Sequence, residues 1–143
     1  MIRDASVYDI SKINELGELL HNNFTNLYKI SEMLQDNLSK VIVYEKDDKI
    51  VGFIIATDLG ETCDILIVVV DPLYRRQKIA TNLIGYLIGD LSDNLKLITL
   101  EVDTNNEAAI NLYEKFGFEV VNKRLNYYSN GDDAYLMARK SEY

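Results

Sequence analysis

Three cations lie at the junction between an apolar run that ends at Val70 and a helical pattern that begins near Ile79. Arg75, Arg76 and Lys78 bring positive charge to this junction, although the whole chain carries a formal net charge of −8. A strand that leads into a helix directs unpaired backbone N–H groups and the positive end of the helix dipole at one point. Cations are unfavourable there without an anion, so the junction predicts a phosphate site.

The residue types argue against nucleotide-binding loops, metal sites and catalysis by cysteine or histidine. The junction lacks the Gly-Lys-Ser/Thr of a Walker loop and the glycines of a dinucleotide fingerprint. The chain has one histidine, His21, and one cysteine, Cys63, which cannot fill the usual ligand sets of zinc. We therefore expect no metal, interpret Cys63 as a packed apolar residue and assign His21 no catalytic role.

The junction resembles the coenzyme A pyrophosphate loop of the GNAT acetyltransferase superfamily, Gln/Arg-x-x-Gly-x-Gly/Ala. Arg75-Arg76-Gln77-Lys78-Ile79-Ala80 matches this pattern at its first and last positions. Lys78 stands where the family usually has its first glycine. A side chain there would crowd the phosphates if it pointed inward. We expect instead a helical backbone at Lys78, with an outward ammonium that adds to the phosphate attraction.

A second and more specific motif runs from Asn106 to Phe118. It is similar to the Asn-x-x-Ala-x-x-x-Tyr-x-x-x-Gly-Phe signature of the same superfamily. The flanking segments resemble the ribosomal-protein-alanine N-acetyltransferases of the RimI type. These segments are Leu100-Glu101-Val102, Asn126-Tyr127-Tyr128 and Asp133-Ala134-Tyr135-Leu136-Met137.

The resemblance implies that acetyl-coenzyme A lies in a V-shaped split between the strand ending at Val70 and the strand ending near Val102. The backbone of 68–70 would contact the pantetheine and acetyl group, and 75–81 would hold the pyrophosphate. The implied cofactor-binding residues are Val68, Val69, Val70, Arg75, Arg76, Gln77, Lys78, Ile79, Ala80, Thr81 and Asn106.

The resemblance also implies catalytic roles, with Glu101 as general base and Tyr113 as general acid, and with Tyr127 and Tyr128 as walls of the acceptor groove. An ammonium has no lone pair, so a base must remove a proton before the amine attacks a thioester. An α-amine costs about 3 kcal/mol less to deprotonate than a lysine, which favours a protein N-terminus as acceptor. Spacing alone would place Tyr113 on an apolar helix face and Glu101 at an exposed strand end.

Periodicity predicts the elements that position these residues. The run before Val70 is apolar at every position, so we expect a central strand covered on both faces. The helix and strand after it imply a strand-helix-strand crossover. The predicted helices are Ile10–Leu20, Tyr28–Leu38, Ile79–Leu91 and Asn106–Phe116, and the predicted strands are Val41–Tyr44, Ile50–Ala56, Ile65–Val70, Leu97–Val102, Glu119–Leu125 and Ala134–Arg139.

We therefore predict one domain over residues 1–143, with an α/β (α+β) GNAT fold. It comprises a mixed, mostly antiparallel sheet of about six to seven strands, flanked by about four helices. No apolar run reaches the roughly 18 residues of a membrane span, and the negative charge argues against nucleic acid as a partner. We expect a cytoplasmic protein.

The acceptor stays open at this point. The resemblance covers Glu61 to Arg139 and is poor before it, and Asp103 stands where a basic residue is expected. The acceptor could be the N-terminus of a ribosomal or other protein, or a small amine such as a polyamine or aminoglycoside. A non-catalytic module that binds acetyl-coenzyme A is a third hypothesis.

Overall fold

The computed structural model describes residues 1–141, and its internal contacts divide the chain into two units. The first unit comprises residues 1–58 and 67–91, and the second comprises residues 59–66 and the chain from Ser92 onward. One long strand contributes its first half to the second unit and its second half to the first. The prediction of a single domain stays a prediction.

The elements follow the predicted order. The helices are α1 (Ile10–Leu20), α2 (Phe24–Leu27), α3 (Ile30–Met33), α4 (Ile79–Asp90) and α5 (Glu107–Lys115). The strands are β1 (Ile2–Asp4), β2 (Ser39–Lys46), β3 (Lys49–Asp58), β4 (Thr62–Val70), β5 (Leu97–Asp103), β6 (Glu119–Arg124) and β7 (Ala134–Lys140).

In the first unit, β2 and β3 form the predicted antiparallel hairpin, and β1 pairs with the outer side of β2. The two residues between β2 and β3, Asp47 and Asp48, both have positive φ, as a two-residue hairpin turn requires. Beneath this hairpin α1 buries Ile13 and Leu16, and the ring of Phe24 meets the ring of Phe53 at 5.5 Å.

Helix α4 packs closely on the same hairpin because β3 has a glycine at the contact. A Cβ atom on Gly52 would lie 2.9 Å from the carbonyl oxygen of Val69 and 3.0 Å from Cγ2 of Ile79. Gly52 therefore lets the end of β4 and the start of α4 approach β3 together. This close approach positions the junction between β4 and α4.

The second unit is built on the last four strands. The first half of β4 runs parallel to β5 from Thr62↔Leu97 to Ile65↔Leu100, and this ladder ends there although both strands continue. Strand β7 lies antiparallel between β5 and β6. Helix α5 begins at the N-cap Asn106 and ends before Gly117, whose φ of 90° suits a glycine.

The fold class is confirmed. Within residues 1–141 the seven strands have the order β1-β2-β3-β4-β5-β7-β6, with β4 and β5 parallel and the others antiparallel where their pairing is given. The parallel strands are joined through α4, as the predicted crossover requires.

Three local predictions differ from the structure. The helix predicted over Tyr28–Leu38 shortens to α3. The Gln35 and Asp36 amides bond three residues back, and the Asp36 carboxylate then accepts from the Leu38 amide. The sequence analysis missed β1, which is too short to show a period. Full coverage of β4 was wrong, because its burial alternates and Leu66 is 37% exposed. One covered face is typical of a mostly antiparallel sheet.

Candidate active site

The junction between β4 and α4, where the sequence predicts a phosphate site, belongs to the first unit. After β4 the Asp71 amide donates to the Val51 carbonyl oxygen at 2.8 Å, and the Asp71 carboxylate accepts from the Leu73 amide. The loop then turns at Arg76 and Lys78, whose φ values of 65° and 60° lie in the left-handed region. Helix α4 begins immediately afterwards, with Lys78 as its N-cap.

The predicted helical backbone at Lys78 is wrong. Its φ of 60° and ψ of 27° place it in the left-handed region, which explains why a glycine suits this motif position. The Lys78 side chain is exposed, and its outward direction relative to a bound phosphate stays a prediction. An L-residue in this conformation costs about 1 kcal/mol relative to the ordinary helical region.

We expect Lys78→Gly to raise the free energy of unfolding by about 1 kcal/mol, because glycine adopts positive φ without a Cβ clash. Lys78→Ala is the matched control, since it removes the same charge and retains the strain. Urea unfolding compares the two variants. Equal stabilities would contradict the left-handed assignment.

The cations of the junction are available to a ligand. Arg75, Arg76 and Lys78 are exposed, and none of them forms an ion pair within residues 1–141. All three lie in the loop that leads directly into α4, whose first-turn amides have no partner within the helix. Exposed cations and free helix amides together fit a diphosphate.

The structure adds a further cation that the sequence analysis missed. Lys46, at the end of β2, donates through Nζ to the side-chain oxygen of Gln77 at 2.5 Å. The neighbouring turn residue Asp47 accepts from the Tyr74 hydroxyl at 3.5 Å. The hairpin turn is therefore fastened to the loop. No sequence signal could have found this contact, since Lys46 and Gln77 lie 31 positions apart.

The remaining cofactor-binding candidates differ in how far their side chains are buried. Val69 and Ile79 are buried, so only their backbone groups can meet a ligand. Val68, Val70, Ala80 and Thr81 are half-buried. The second unit holds Asn106, whose side-chain oxygen accepts from the Ala109 amide at 3.2 Å and caps α5.

Glu101 lies near the end of β5 in the second unit. Its side chain is 26% exposed, and its Oε2 is buried with no hydrogen-bond partner within residues 1–141. On the adjacent strand, Asp64 accepts from the Thr99 hydroxyl at 2.9 Å. Burial raises the pKa of Asp64; the Thr99 hydrogen bond lowers it, and the negative charge of Glu101 adds to the rise. Glu101 is therefore not the exposed strand-end residue that spacing alone suggests.

Tyr113 is 9% exposed, and its ring packs edge-on against Phe118 at 5.9 Å. Burial raises the pKa of its hydroxyl to about 12, so the phenol keeps its proton at neutral pH. Spacing correctly predicts a packed face here, yet a buried, protonated hydroxyl is also the state that a general acid needs.

Tyr128 links the other candidates of this unit. Burial is the main reason that its pKa is raised to about 12. The charges of Asp103 and Glu101 raise this pKa further, and Tyr127 and Tyr113 make smaller contributions in the same direction. The rings of Tyr127 and Tyr128 meet edge-on at 5.1 Å. The second unit thus brings its catalytic candidates, Glu101 and Tyr113, near Tyr128.

Carboxylates surround the same region. The hydrogen bond from the Asn105 amide lowers the pKa of Asp103. Desolvation and the neighbouring Asp132 and Asp133 raise it more, so the pKa of Asp103 lies above its ordinary value. The hydrogen bond from Asp103 in turn lowers the pKa of Asp132. This negative potential favours a cationic acceptor.

The buried Tyr113 makes the stability depend on alkaline pH. Its pKa rises from 10.0 to about 12 on folding, so its stabilising contribution is complete below pH 10 and is lost as the pH rises to 12. Between pH 10 and pH 12, we expect the free energy of unfolding to fall less in Tyr113→Phe than in the parent, by up to about 3 kcal/mol. Urea unfolding at pH 9 and pH 12 measures it. Parallel losses in the two proteins would contradict a buried neutral phenol.

The sequence analysis assigned no catalytic role to Cys63 or His21. Cys63 is buried in β4. His21 follows α1, and burial lowers its pKa. Within the described residues, no three or more histidine, cysteine or carboxylate side chains are grouped to hold a metal. No helix among them is long and apolar enough for a bilayer span.

Comparisons with known proteins agree on one family. The model of the acetyltransferase (GNAT) family matches residues 6–118. An N-alpha-acetyltransferase of Sulfurisphaera tokodaii is 30% identical over 151 residues, which cover 96% of this chain and 90% of that protein. The [ribosomal protein bS18]-alanine N-acetyltransferase of Escherichia coli is 35% identical over 97 residues, which cover 65% of this chain and 66% of that protein. A crystal structure of the Escherichia coli ribosomal-protein-S18-alanine N-acetyltransferase superposes with a TM-score of 0.87 at 26% identity, covering 98% of this chain and 92% of that one.

Proposed function

This chain belongs to the acetyltransferase (GNAT) family and is an N-acetyltransferase, and we propose that it moves an acetyl group from acetyl-coenzyme A to the N-terminal α-amine of a protein. The observation that carries the proposal is that one unit holds both a half-buried carboxylate, that of Glu101, and a buried, protonated hydroxyl, that of Tyr113. The relatives named above support the choice of an α-amine.

The two side chains would move the two protons of the reaction. Glu101 accepts a proton from the acceptor ammonium, directly or through one water, and so frees the lone pair for attack. Acetyl-coenzyme A supplies the thioester-activated acetyl group. Tyr113 then donates its proton to the departing sulfur, which its raised pKa permits at neutral pH.

The first unit would hold the cofactor. The backbone of Val68, Val69 and Val70 would contact its pantetheine arm. The pyrophosphate would bind to the segment whose exposed cations and helix amides fit an anion. That segment comprises Arg75, Arg76, Gln77, Lys78, Ile79, Ala80 and Thr81. Since the Lys78 side chain is exposed, we expect Lys78→Gly to change coenzyme A affinity by less than about tenfold.

Tyr127 and Tyr128 would form walls of the acceptor groove. A protein N-terminus would lie there with its ammonium directed to Glu101. A ribosomal protein is the first acceptor to test, because relatives are named for that reaction. Such an acceptor would place the enzyme in the cytoplasm.

A small cationic amine is the second candidate, and a specific observation favours it. Asp103 and Asp132 lie beside Tyr128, and their negative charge would attract a polyamine or aminoglycoside as well as a peptide. The two candidates differ in whether the acceptor needs a peptide bond after its amine.

A panel of acceptors decides between them. Peptides with the N-terminal sequence of a ribosomal protein, each with one internal lysine, are compared with the same peptides blocked at the N-terminus and with spermidine and an aminoglycoside. The readout is release of free thiol from acetyl-coenzyme A. The proposal predicts turnover of free peptides only. Equal turnover of blocked peptides, or turnover of small amines alone, would refute it.

A further inference from the structure

Arg124, at the end of β6, contacts two of the proposed functional residues. Its Nε lies 3.9 Å from Oε2 of Glu101, and its guanidinium carbon lies 5.7 Å from the centre of the Tyr127 ring. Its side chain is 50% exposed. Neither sequence motif includes Arg124. It therefore stands between the proposed base and one proposed wall of the acceptor groove.

The sheet register explains how Arg124 reaches Glu101. Arg124 pairs with Ala134 on β7, and Ala134 pairs with Asp103 on β5. Two strand spacings of about 4.8 Å separate β6 from β5, a distance that an arginine side chain can cross. Ala134 leaves room on this face because its side chain is one methyl group. Glu101 lies two residues before Asp103 on β5, and therefore on the same face, opposite Leu136.

The contact matters because of the state of the Glu101 carboxylate. Oε2 is buried and has no hydrogen-bond partner within residues 1–141. A distance of 3.9 Å is too long for a hydrogen bond but within the range of an ion pair. The guanidinium charge therefore attracts Oε2 and leaves the other carboxylate oxygen to take a proton from the acceptor.

We propose that Arg124 is a positioning residue: its guanidinium, kept in place over the Tyr127 ring, holds the Glu101 carboxylate through its charge. The inference rests on the proposed function, since it requires Glu101 to be the base. Arg124 itself touches no reacting atom. Its removal should slow the chemical step while coenzyme A binding stays unchanged.

A double-mutant cycle tests the proposal, with kcat, the KM for acetyl-coenzyme A and calorimetric affinity for coenzyme A measured for each protein. We expect Arg124→Gln to lower kcat about fivefold in the parent protein and to have no effect in the Glu101→Gln background. Arg124→Lys should recover part of the loss, since it retains the charge without the planar group. Urea unfolding shows that each variant is folded.

Lys123→Gln is the matched control. Lys123 is the preceding residue of β6, is also 50% exposed and forms an ion pair with Asp133 at 3.6 Å. It lies on the opposite face of the sheet by register, opposite Tyr135. Its replacement should leave kcat within twofold of the parent, as expected for an ordinary surface charge.

The possible results separate the two proposals. An equal loss of kcat in both backgrounds, or no loss at all, would overturn the role of Arg124 and leave the acetyltransferase proposal intact. A Lys123→Gln loss as large as that of Arg124→Gln would also overturn it. If Glu101→Gln retained full activity, the assignment of the base would fail first and this inference with it.

Discussion

We expect Glu101→Gln to lower kcat by a factor of about 10² to 10⁴, because a neutral amide cannot accept a proton from an ammonium. The substitution keeps the shape of the side chain, and Glu101 lies outside the unit that would hold the pyrophosphate. Affinity for coenzyme A should therefore change little. Thiol release gives kcat, and titration calorimetry gives the affinity.

Asp64→Asn is the control for this prediction. Asp64 lies on the strand beside β5 and shares a sheet face with Glu101 through its register partner Thr99. Its replacement removes a negative charge from the same row without removing the base, so we expect activity near that of the parent. A comparable loss in both variants would mean that the local potential, and not proton transfer at Glu101, controls the rate.

The second large effect is expected at Tyr113. Tyr113→Phe removes the only proton that this side chain can give to the departing sulfur, so we expect kcat to fall about 10²-fold. The ring contact with Phe118 at 5.9 Å remains, and stability at neutral pH should be nearly unchanged. Because the pKa of Tyr113 is about 12, the parent should show no loss of rate from its ionisation below pH 10.

Tyr135→Phe is the matched control for the loss of a hydroxyl. Tyr135 belongs to the same unit and pairs with Val102, so it lies on the opposite sheet face from Glu101. Its replacement should leave kcat nearly unchanged. Full activity of Tyr113→Phe would show that the leaving group takes its proton elsewhere, for example from water.

Local patterns predicted those parts of the chain in which neighbours along the sequence decide the structure. The hairpin of β2 and β3 follows from two β-branched runs around a turn, and α5 follows from Asn106 and Gly117 at its ends. The crossover through α4 follows from two apolar strands separated by one helical pattern. Each of these elements carries its own local pattern of apolar and turn residues, so periodicity reveals it, even though the β4–β5 pairing itself joins distant residues.

The prediction of a helix over Tyr28–Leu38 was wrong because side-chain hydrogen bonds also act locally. Apolar residues at helical spacing were present, but α3 ends in tighter turns after Met33, and the Asp36 carboxylate then accepts hydrogen bonds from Leu38 and Ser39, so the helix does not continue. Periodicity reports which residues face the core. It does not report this competition between side chain and backbone.

The order of residue types already determined the family, the fold class and the chemistry to expect, because the two GNAT-like motifs carry their glycine, tyrosine and cations at set spacings. Tertiary structure decided the state of the individual groups. The left-handed backbone of Lys78, the contact of Lys46 with Gln77 and the approach of Arg124 to Glu101 each join residues or torsions that no period encodes. The raised pKa of Tyr113 likewise arises from burial, which exists only once the core has packed.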